Sequence, residues 1–203
     1  NPTLSQSVPM RDDVGLYTEV FLPKGHEKST TAYPTVLIRS PYPYGKPSRH
    51  DNFSIPRYLA AGYAVVYQLT RGQGASEGEF RFFLNEQDDG YDCLEWMLGQ
   101  AWCNGSVGMH GVSYLAGTQL LATRAKHPAL KCIMPSAFVG SPFRSFPFSN
   151  GVPNKGPFMQ WCQLVDAERR DSTDVAYGDM NLLKHPKWGP AFRPEYDQLQ
   201  DLK

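Results

Sequence analysis

The sequence has no excess charge of either sign and no apolar run long enough to cross a membrane. Its 203 residues carry 20 basic and 20 acidic side chains, so the formal net charge is zero. Proteins that bind nucleic acid or anionic lipid through a basic surface usually carry a positive excess, so we expect neither partner. The longest purely apolar run covers a few residues around 63–67, whereas a membrane helix needs roughly 20. The composition therefore favours one ordinary globular domain, or a piece of a larger one.

Cysteines are few and are not spaced as metal ligands. The four, Cys93, Cys103, Cys132 and Cys162, form no CxxC pair and have no histidine at zinc-site spacing. We interpret them as small buried hydrophobic residues or inert thiols, and we expect no metal site. The sequence identifies neither the cellular compartment nor the oligomeric state.

Hydrophobic periodicity predicts strands and helices that alternate through the middle of the chain. Predicted strands at 63–69, 107–110 and 130–135 alternate with predicted helices at 85–100 and 114–126. Such alternation is typical of a mostly parallel sheet with helices on both faces. The sequence therefore predicts the α/β class.

Two earlier strands, at 15–22 and 34–39, and a short helix at 55–61 are also predicted. Because no long helix precedes or separates the two strands, we expect that part of the sheet to be antiparallel. Beyond residue 140 the alternation gives way to aromatic, Pro- and Gly-rich sequence, with a further predicted helix at 158–170.

Two other motifs each allow a functional and a structural interpretation. The glycine-rich segment 71–78 follows a strand, but no GK[ST] signature follows it, so a tight loop is favoured over a phosphate-binding site. The acidic residues Glu86, Asp88 and Asp89 stand in the first turn of a predicted helix, with Asn85 as its N-cap. Interaction with the helix dipole explains them more simply than a metal site or an acid–base pair.

The segment GVSYLAG, residues 111–117, lies directly between a predicted strand and a predicted helix. A serine at a sharp strand-to-helix turn stands above the sheet edge beside the first amides of the helix, which suits a nucleophile. Gly111 allows close backbone approach, but Leu115 occupies the position of the second glycine in the usual GxSxG signature. From the motif alone, Ser113 is either a nucleophile or a helix N-cap, and the cap is favoured.

Six motifs occur in order along the chain. They are RSPY at 39–42, GYAVVYQ at 62–68, RGQGASEGEF at 71–80, NEQDDGYD at 85–92, WCNG at 102–105 and GMHGVSYL at 108–115. Together they resemble the catalytic domain of the cocaine esterase / X-Pro dipeptidyl-peptidase group of α/β-hydrolases, which includes the CocE/NonD hydrolases and the α-amino acid ester hydrolases. In that family the turn reads GxSYxG or close to it, so the departure at Leu115 is a family trait.

The resemblance implies a serine hydrolase that cleaves ester, amide or X-Pro peptide bonds through an acyl-enzyme, without a cofactor. Its substrates would be small esters or amides, or short peptides. Ser113 would be the nucleophile, with the backbone N–H of Tyr114 and the phenol of Tyr42 as oxyanion donors. The alternative for Tyr42 is a surface turn residue. Trp161 would either line an acyl pocket or belong to the core of a helical lid.

The resemblance also implies a partial α/β-hydrolase fold. Residues 1–140 would form the N-terminal part of the catalytic domain, and residues 141–203 the beginning of a helical cap or lid.

A hydrolase of this fold also needs an acid and a histidine after the serine. Only His127 and His185 follow Ser113. His127 lies at the far end of the predicted helix, roughly 20 Å away at 1.5 Å per residue, where the helix dipole accounts for it better. His185 precedes any further strand pattern. The resemblance places both missing residues beyond Lys203, so we expect an N-terminal portion or truncated product with negligible turnover; the alternative is a non-catalytic remnant.

Overall fold

The computed structural model describes residues 1–26, 31–42, 51–138, 141, 144, 148–154, 156, 158, 161, 162 and 165. These residues fall into two compact units, one containing residues up to 138 and the other the described residues from 141 onward. The division of the chain into part of a catalytic domain and a cap stays a prediction.

The first unit contains six strands and three helices among its described residues. In chain order they are β1 (Leu4–Pro9), β2 (Gly15–Phe21), β3 (Tyr33–Ser40), α1 (Asp51–Ala60), β4 (Ala64–Leu69), α2 (Glu86–Leu98), β5 (Cys103–Val112), α3 (Tyr114–Arg124) and β6 (Leu130–Ser136). No helix in the described part of the chain is long and apolar enough to cross a membrane.

The six strands form one mixed sheet in the order β1-β2-β4-β3-β5-β6. β2 is antiparallel to β1 and to β4, whereas the pairs β3–β4, β3–β5 and β5–β6 are parallel. The predicted α/β class, with a mostly parallel sheet, is confirmed. The antiparallel expectation is right for β2 and wrong for β3, because α1 forms a crossover that returns the chain parallel to β3 in β4.

β1 is the described strand of this sheet that the sequence does not predict. Half of its sequence, LSQSVP, is polar, and only Val8 is buried. It is held by backbone pairing to β2 from Leu4–Val20 to Pro9–Gly15. Pairing of this kind depends on the neighbouring strand, so local periodicity does not reveal it.

The main core lies between the sheet and the helices α2 and α3, which pack against each other and against β5. Along β5, Val107 and Met109 are fully buried in this core with Leu94 of α2. His110 points to the opposite face and contacts Tyr58 of α1, with ring centroids 5.6 Å apart. Helices therefore cover both faces, as predicted.

The described part of the second unit contains a short antiparallel pair, β7 (Phe148–Ser149) and β8 (Val152–Pro153). Beyond it, residues 156, 158, 161, 162 and 165 are helical, and the rest of the predicted helix at 158–170 lies outside the described residues. Within this unit Phe158 stacks on Trp161, with ring centroids 6.2 Å apart.

Candidate active site

Ser113 occupies the junction between β5 and α3. β5 ends at Val112 and α3 begins at Tyr114, and Ser113 between them has φ 61° and ψ −121°. A positive φ is uncommon for a residue other than glycine and marks a sharp, strained turn. Ser113 is exposed, and its hydroxyl makes no capping hydrogen bond to the helix. The geometry therefore does not support the N-cap role for this side chain.

Two glycines make room for the turn. At Gly111, φ is +155°, and an added Cβ would overlap the side chain of Leu115. At Gly117, an added Cβ would lie 2.5 and 2.6 Å from two ring carbons of Phe83. Close packing around the turn is therefore permitted by Gly111 and Gly117, while Leu115 occupies the position of the second glycine of GxSxG.

Tyr42 follows the carboxyl end of β3 and has its backbone fixed on both sides. The Ser40 hydroxyl accepts a hydrogen bond from the Tyr42 N–H at 3.0 Å and donates one to the Tyr42 carbonyl at 3.1 Å. The Tyr67 phenol donates to the same carbonyl at 2.7 Å. Because Tyr42 is only 8% exposed, it is not the exposed turn residue of the alternative interpretation.

A buried hydrogen-bond chain lies behind the turn. The Tyr114 phenol donates to Glu86 Oε1 at 2.8 Å, and it accepts the Phe83 N–H at 3.3 Å. The other oxygen of Glu86, Oε2, accepts Nη1 of Arg39 at 2.6 Å. Arg39 is completely buried, and its Nε donates to Gln68 Oε1 at 2.9 Å. α3 and β3 are thus joined through a single carboxylate at the start of α2.

A second buried carboxylate extends this chain. Asp89, one turn after Glu86, lies 3.6 Å from Nη2 of Arg39 and receives hydrogen bonds of 2.7–3.0 Å from Arg71. Arg71 also binds both carboxylate oxygens of Asp12 at 2.7 and 2.8 Å. We name Arg39, Arg71, Glu86 and Asp89 the buried charge cluster.

The carboxylates of the cluster hold both of its arginines in the charged form. Burial disfavours the charged form of Arg39, but the charges of Glu86 and Asp89 outweigh this and raise the pKa of Arg39. Hydrogen bonds to Asp89 and Asp12 raise the pKa of Arg71. Burial raises the pKa of Glu86 above its ordinary value, and the charge of Arg39 and the hydrogen bond from Tyr114 offset only part of that shift. With Arg39 at 2.6 Å, we assign Glu86 as ionised.

The phenol of Tyr114 stays protonated in this environment. Burial and the neighbouring charge of Glu86 raise its pKa well above the ordinary value. The phenol is therefore a hydrogen-bond donor to Glu86 at neutral pH.

The buried charge cluster corrects the prediction that the acidic residues at the start of α2 only interact with the helix dipole. Asn85 occupies the N-cap position of α2, but its side chain makes no capping hydrogen bond. Glu86 and Asp89 are buried and paired with arginines, so interaction with the helix dipole alone does not account for them; Asp88 lies near Arg11 on the surface. Among the described residues, no group of three or more His, Cys, Asp or Glu side chains is placed to hold a metal.

The glycine-rich segment is a structural loop, as predicted. The Gly72 N–H donates to the Glu77 carbonyl at 2.9 Å, which closes the loop. The Glu77 carboxylate accepts the Gly15 N–H at 2.9 Å, and the Ser76 hydroxyl accepts the Tyr17 N–H at 2.8 Å. These hydrogen bonds attach the loop to β2.

The histidines of the described residues have other partners. His127 is buried, its Nε2 lies 2.8 Å from Glu95 Oε1, and its Nδ1 accepts the Ala129 N–H at 3.1 Å. Nε2 thus joins the segment after α3 to α2, and Nδ1 makes a local contact within that segment, a role beyond the expected effect of the helix dipole. His110 packs on Tyr58. His185 lies outside the described residues.

Of the predicted site residues, the first unit contains Ser113, Tyr114 and Tyr42, at the carboxyl ends of β5 and β3. Trp161 belongs to the second unit and is half-buried there. Sequence reasoning missed Arg39 and the pairing of Glu86 with Tyr114. One feature of the sequence could have indicated the role of Arg39. A charged residue follows the apolar run of β3 directly, and a charge in a buried strand must be neutralised by a partner.

The comparisons with known proteins agree with this architecture. A family model described as X-Pro dipeptidyl-peptidase (S15 family) matches residues 12–198. Cocaine esterase from Rhodococcus sp. (strain MB1 Bresler) is 39% identical over 181 residues, which cover 82% of this chain and 30% of that protein. The chain therefore spans about 30% of the length of this relative.

Solved structures show the same fold. A CocE/NonD family hydrolase from Staphylococcus aureus superposes with a TM-score of 0.69 at 27% identity, covering 85% of this chain and 34% of that one. An aminopeptidase from a marine sediment archaeon, Thaumarchaeota archaeon, gives a TM-score of 0.70 at 27% identity, covering 86% of this chain and 31% of that one. From the family match, the sequence identity and the shared fold, we conclude that this chain belongs to the X-Pro dipeptidyl-peptidase family of α/β-hydrolases.

Proposed function

We propose that the chain carries the nucleophile and the oxyanion-binding part of a serine hydrolase. The relatives include an esterase and an aminopeptidase, so the reaction we propose is the one both share. An acyl group is transferred from an ester or amide to a serine, and from there to water. The substrates would be small esters or amides, or short peptides.

The observation that carries the proposal is the backbone of Ser113. The residue is exposed at a strand-to-helix junction with φ 61°, and its hydroxyl is not used as a cap. Strain of this kind persists where the surrounding structure enforces it, which is common at active sites. The tight approach of Gly111 to Leu115 and of Gly117 to Phe83 supplies that enforcement.

In the proposed reaction, Ser113 Oγ forms a bond to the substrate carbonyl carbon, and a general base takes the hydroxyl proton. The carbonyl oxygen becomes negatively charged, and we assign the Tyr114 N–H and the Tyr42 phenol as donors that stabilise it. Helix amides at an N-terminus suit this task because they point toward an anion placed there. The alcohol or amine then leaves with a proton, and water hydrolyses the acyl-enzyme.

We propose further that the general base and its acid come from residues outside this chain. In the described part of the chain, His127 uses both ring nitrogens and His110 lies on the sheet face covered by α1. The matched relative is more than three times as long as the matched segment, which leaves ample sequence for two more triad residues. The chain alone should therefore be acylated slowly and turn over negligibly.

Covalent labelling tests the assignment of Ser113. The purified 203-residue chain is incubated with an excess of a fluorophosphonate, and the modified residue is identified by peptide mass spectrometry. We expect slow modification at Ser113 that is lost in Ser113→Ala and retained in Ser106→Ala, which removes an exposed serine from the same strand. Equal labelling of Ser113→Ala, or no labelling of the wild type, would favour the non-catalytic remnant.

A further inference from the structure

Tyr114 has two separate connections to the proposed site. Its backbone amide opens α3 beside Ser113, while its side chain extends into the core and is 3% exposed. There the phenol donates to Glu86 at 2.8 Å. The position of the amide is therefore coupled to the position of a buried carboxylate on another helix.

Glu86 is also connected to the strand that leads to Tyr42. Its Oε2 and its backbone carbonyl both accept hydrogen bonds from Nη1 of Arg39, at 2.6 and 3.1 Å. Arg39 lies in β3, three residues before Tyr42. A further contact joins the same elements, because the Thr118 hydroxyl donates to the Arg39 carbonyl at 3.4 Å.

We propose that Glu86 is a positioning residue that sets the separation between the Tyr114 amide and Tyr42. This inference rests on the proposed function, since these groups are the two assigned oxyanion donors. Each oxygen of Glu86 holds one of the two elements: Oε1 holds α3 through Tyr114, and Oε2 holds β3 through Arg39. Donors for a developing charge are effective only within a few tenths of an ångström of their working position, so a rigid connection between them has a direct catalytic use.

The surroundings of Glu86 restrict its movement. Arg39 is held from its other side by Gln68, whose amide donates to the Thr18 hydroxyl at 3.1 Å. The Tyr114 ring is stacked on Phe83, with centroids 4.2 Å apart and planes 16° from parallel. A carboxylate whose partners are themselves fixed transmits position better than one on a mobile surface.

Tyr114→Phe tests the proposal because it removes the phenol hydroxyl but keeps the backbone amide and the ring. Tyr17→Phe is the matched control, since Tyr17 also donates a phenol hydrogen bond to a carboxylate, Glu19, at 3.2 Å in β2. Glu86→Gln, which removes the charge, is the second variant. All are made in the 203-residue chain.

The first measurement is amide hydrogen exchange, which does not depend on activity. The amides of Ala116 and Gly117 donate to the Ser113 carbonyl and report the first turn of α3. We expect exchange there to rise about tenfold in Tyr114→Phe and in Glu86→Gln, beyond any rise in the core strand β4, and to stay unchanged in Tyr17→Phe. A rise equal to that in β4 would show a general loss of stability and overturn the proposal.

The second measurement is the rate of fluorophosphonate labelling at Ser113. We expect Tyr114→Phe to slow labelling about tenfold while Tyr17→Phe labels at the wild-type rate. Labelling of Tyr114→Phe at the wild-type rate would overturn the positioning role and leave the nucleophile assignment intact. If the wild type is not labelled, the proposed function fails, and amide exchange alone decides whether Glu86 orders the turn.

Discussion

The Tyr114 phenol lies 2.8 Å from a carboxylate oxygen of Glu86, so the residue after the exposed Ser113 is anchored in the core. The same carboxylate binds Arg39 of β3 at 2.6 Å. The strained turn is therefore attached to the sheet by polar contacts as well as by the chain itself.

If the general base lies outside this chain, as proposed, added imidazole should take its place. We expect negligible release of p-nitrophenol from a p-nitrophenyl ester by the chain alone, because in the described residues His110 packs on Tyr58 and His127 uses both ring nitrogens. General bases contribute about 10²–10⁴-fold in enzymes, so imidazole should raise the Ser113-dependent rate measurably. The measurement is the rate of release with and without imidazole.

Ser113→Ala is the control, because imidazole also hydrolyses such esters in free solution. The wild type should exceed the variant only when imidazole is present. Steady hydrolysis by the wild type without imidazole, abolished in Ser113→Ala, would contradict the expected lack of turnover.

Gly117→Ala should destabilise the protein even though alanine favours helices. The new methyl group would lie 2.5 Å from the Phe83 ring and 2.9 Å from the Phe138 ring, so the aromatic contacts around the turn must shift. We expect a loss of about 1–3 kcal/mol in the free energy of unfolding, measured by urea denaturation.

Gly99→Ala is the matched comparison for that change. Gly99 has φ −75°, and an added Cβ would come no closer than 3.4 Å to the Trp96 carbonyl oxygen. This variant should be neutral or gain about 0.4–1 kcal/mol, since alanine restricts the unfolded chain. Equal losses in both variants would show that contact with Phe83 does not matter.

Arg39→Met should be far more damaging than removal of a surface arginine. It leaves Glu86 buried without its cation, and breaking a buried pair in this way costs about 3–5 kcal/mol. Arg11→Met, which removes an arginine side chain that is 49% exposed, should cost about 1 kcal/mol or less. Chemical denaturation of both variants gives the comparison, and similar losses would argue against a buried charge cluster that depends on Arg39.

Asp92→Asn should lower stability at neutral pH and have little effect in acid. Burial would raise the pKa of Asp92, but hydrogen bonds from the Arg11 side chain and backbone outweigh it and lower the pKa below its ordinary value of 3.8. A lowered folded-state pKa stabilises the protein above 3.8, and the contribution disappears as the pH falls through the lower folded value. Unfolding midpoints at several pH values check this; a difference that grows in acid would contradict it.

The sequence predicted the strand-to-helix turn because its signals are local. A short apolar strand, a glycine, a serine and a helical pattern follow one another within residues 107–126. Parallel pairing of β5 with β6 followed from the helix between them, and the structure confirms it. A helix matching α1 was also predicted, but the parallel pairing of β3 with β4 and β5 was not.

The buried charge cluster was not predictable in the same way. Arg39 and Glu86 are 47 residues apart in sequence, and their contact exists only because β3 and α2 are brought together by the fold. In the sequence alone, three acidic residues at the start of a helix are explained by their interaction with the helix dipole. Only the burial of Glu86 and Asp89 distinguishes a buried charge cluster from a simple interaction with the helix dipole. Burial is a property of the packed molecule and not of the local sequence.

Because every charge in the buried cluster is matched by another, its members are not free to change one at a time. Replacing Arg39 or Glu86 alone leaves the other charge buried without a partner. Replacing the two together with apolar side chains of similar volume can be tolerated. We therefore expect relatives that lack one member of this pair to lack the other, so that the two positions co-vary among homologues.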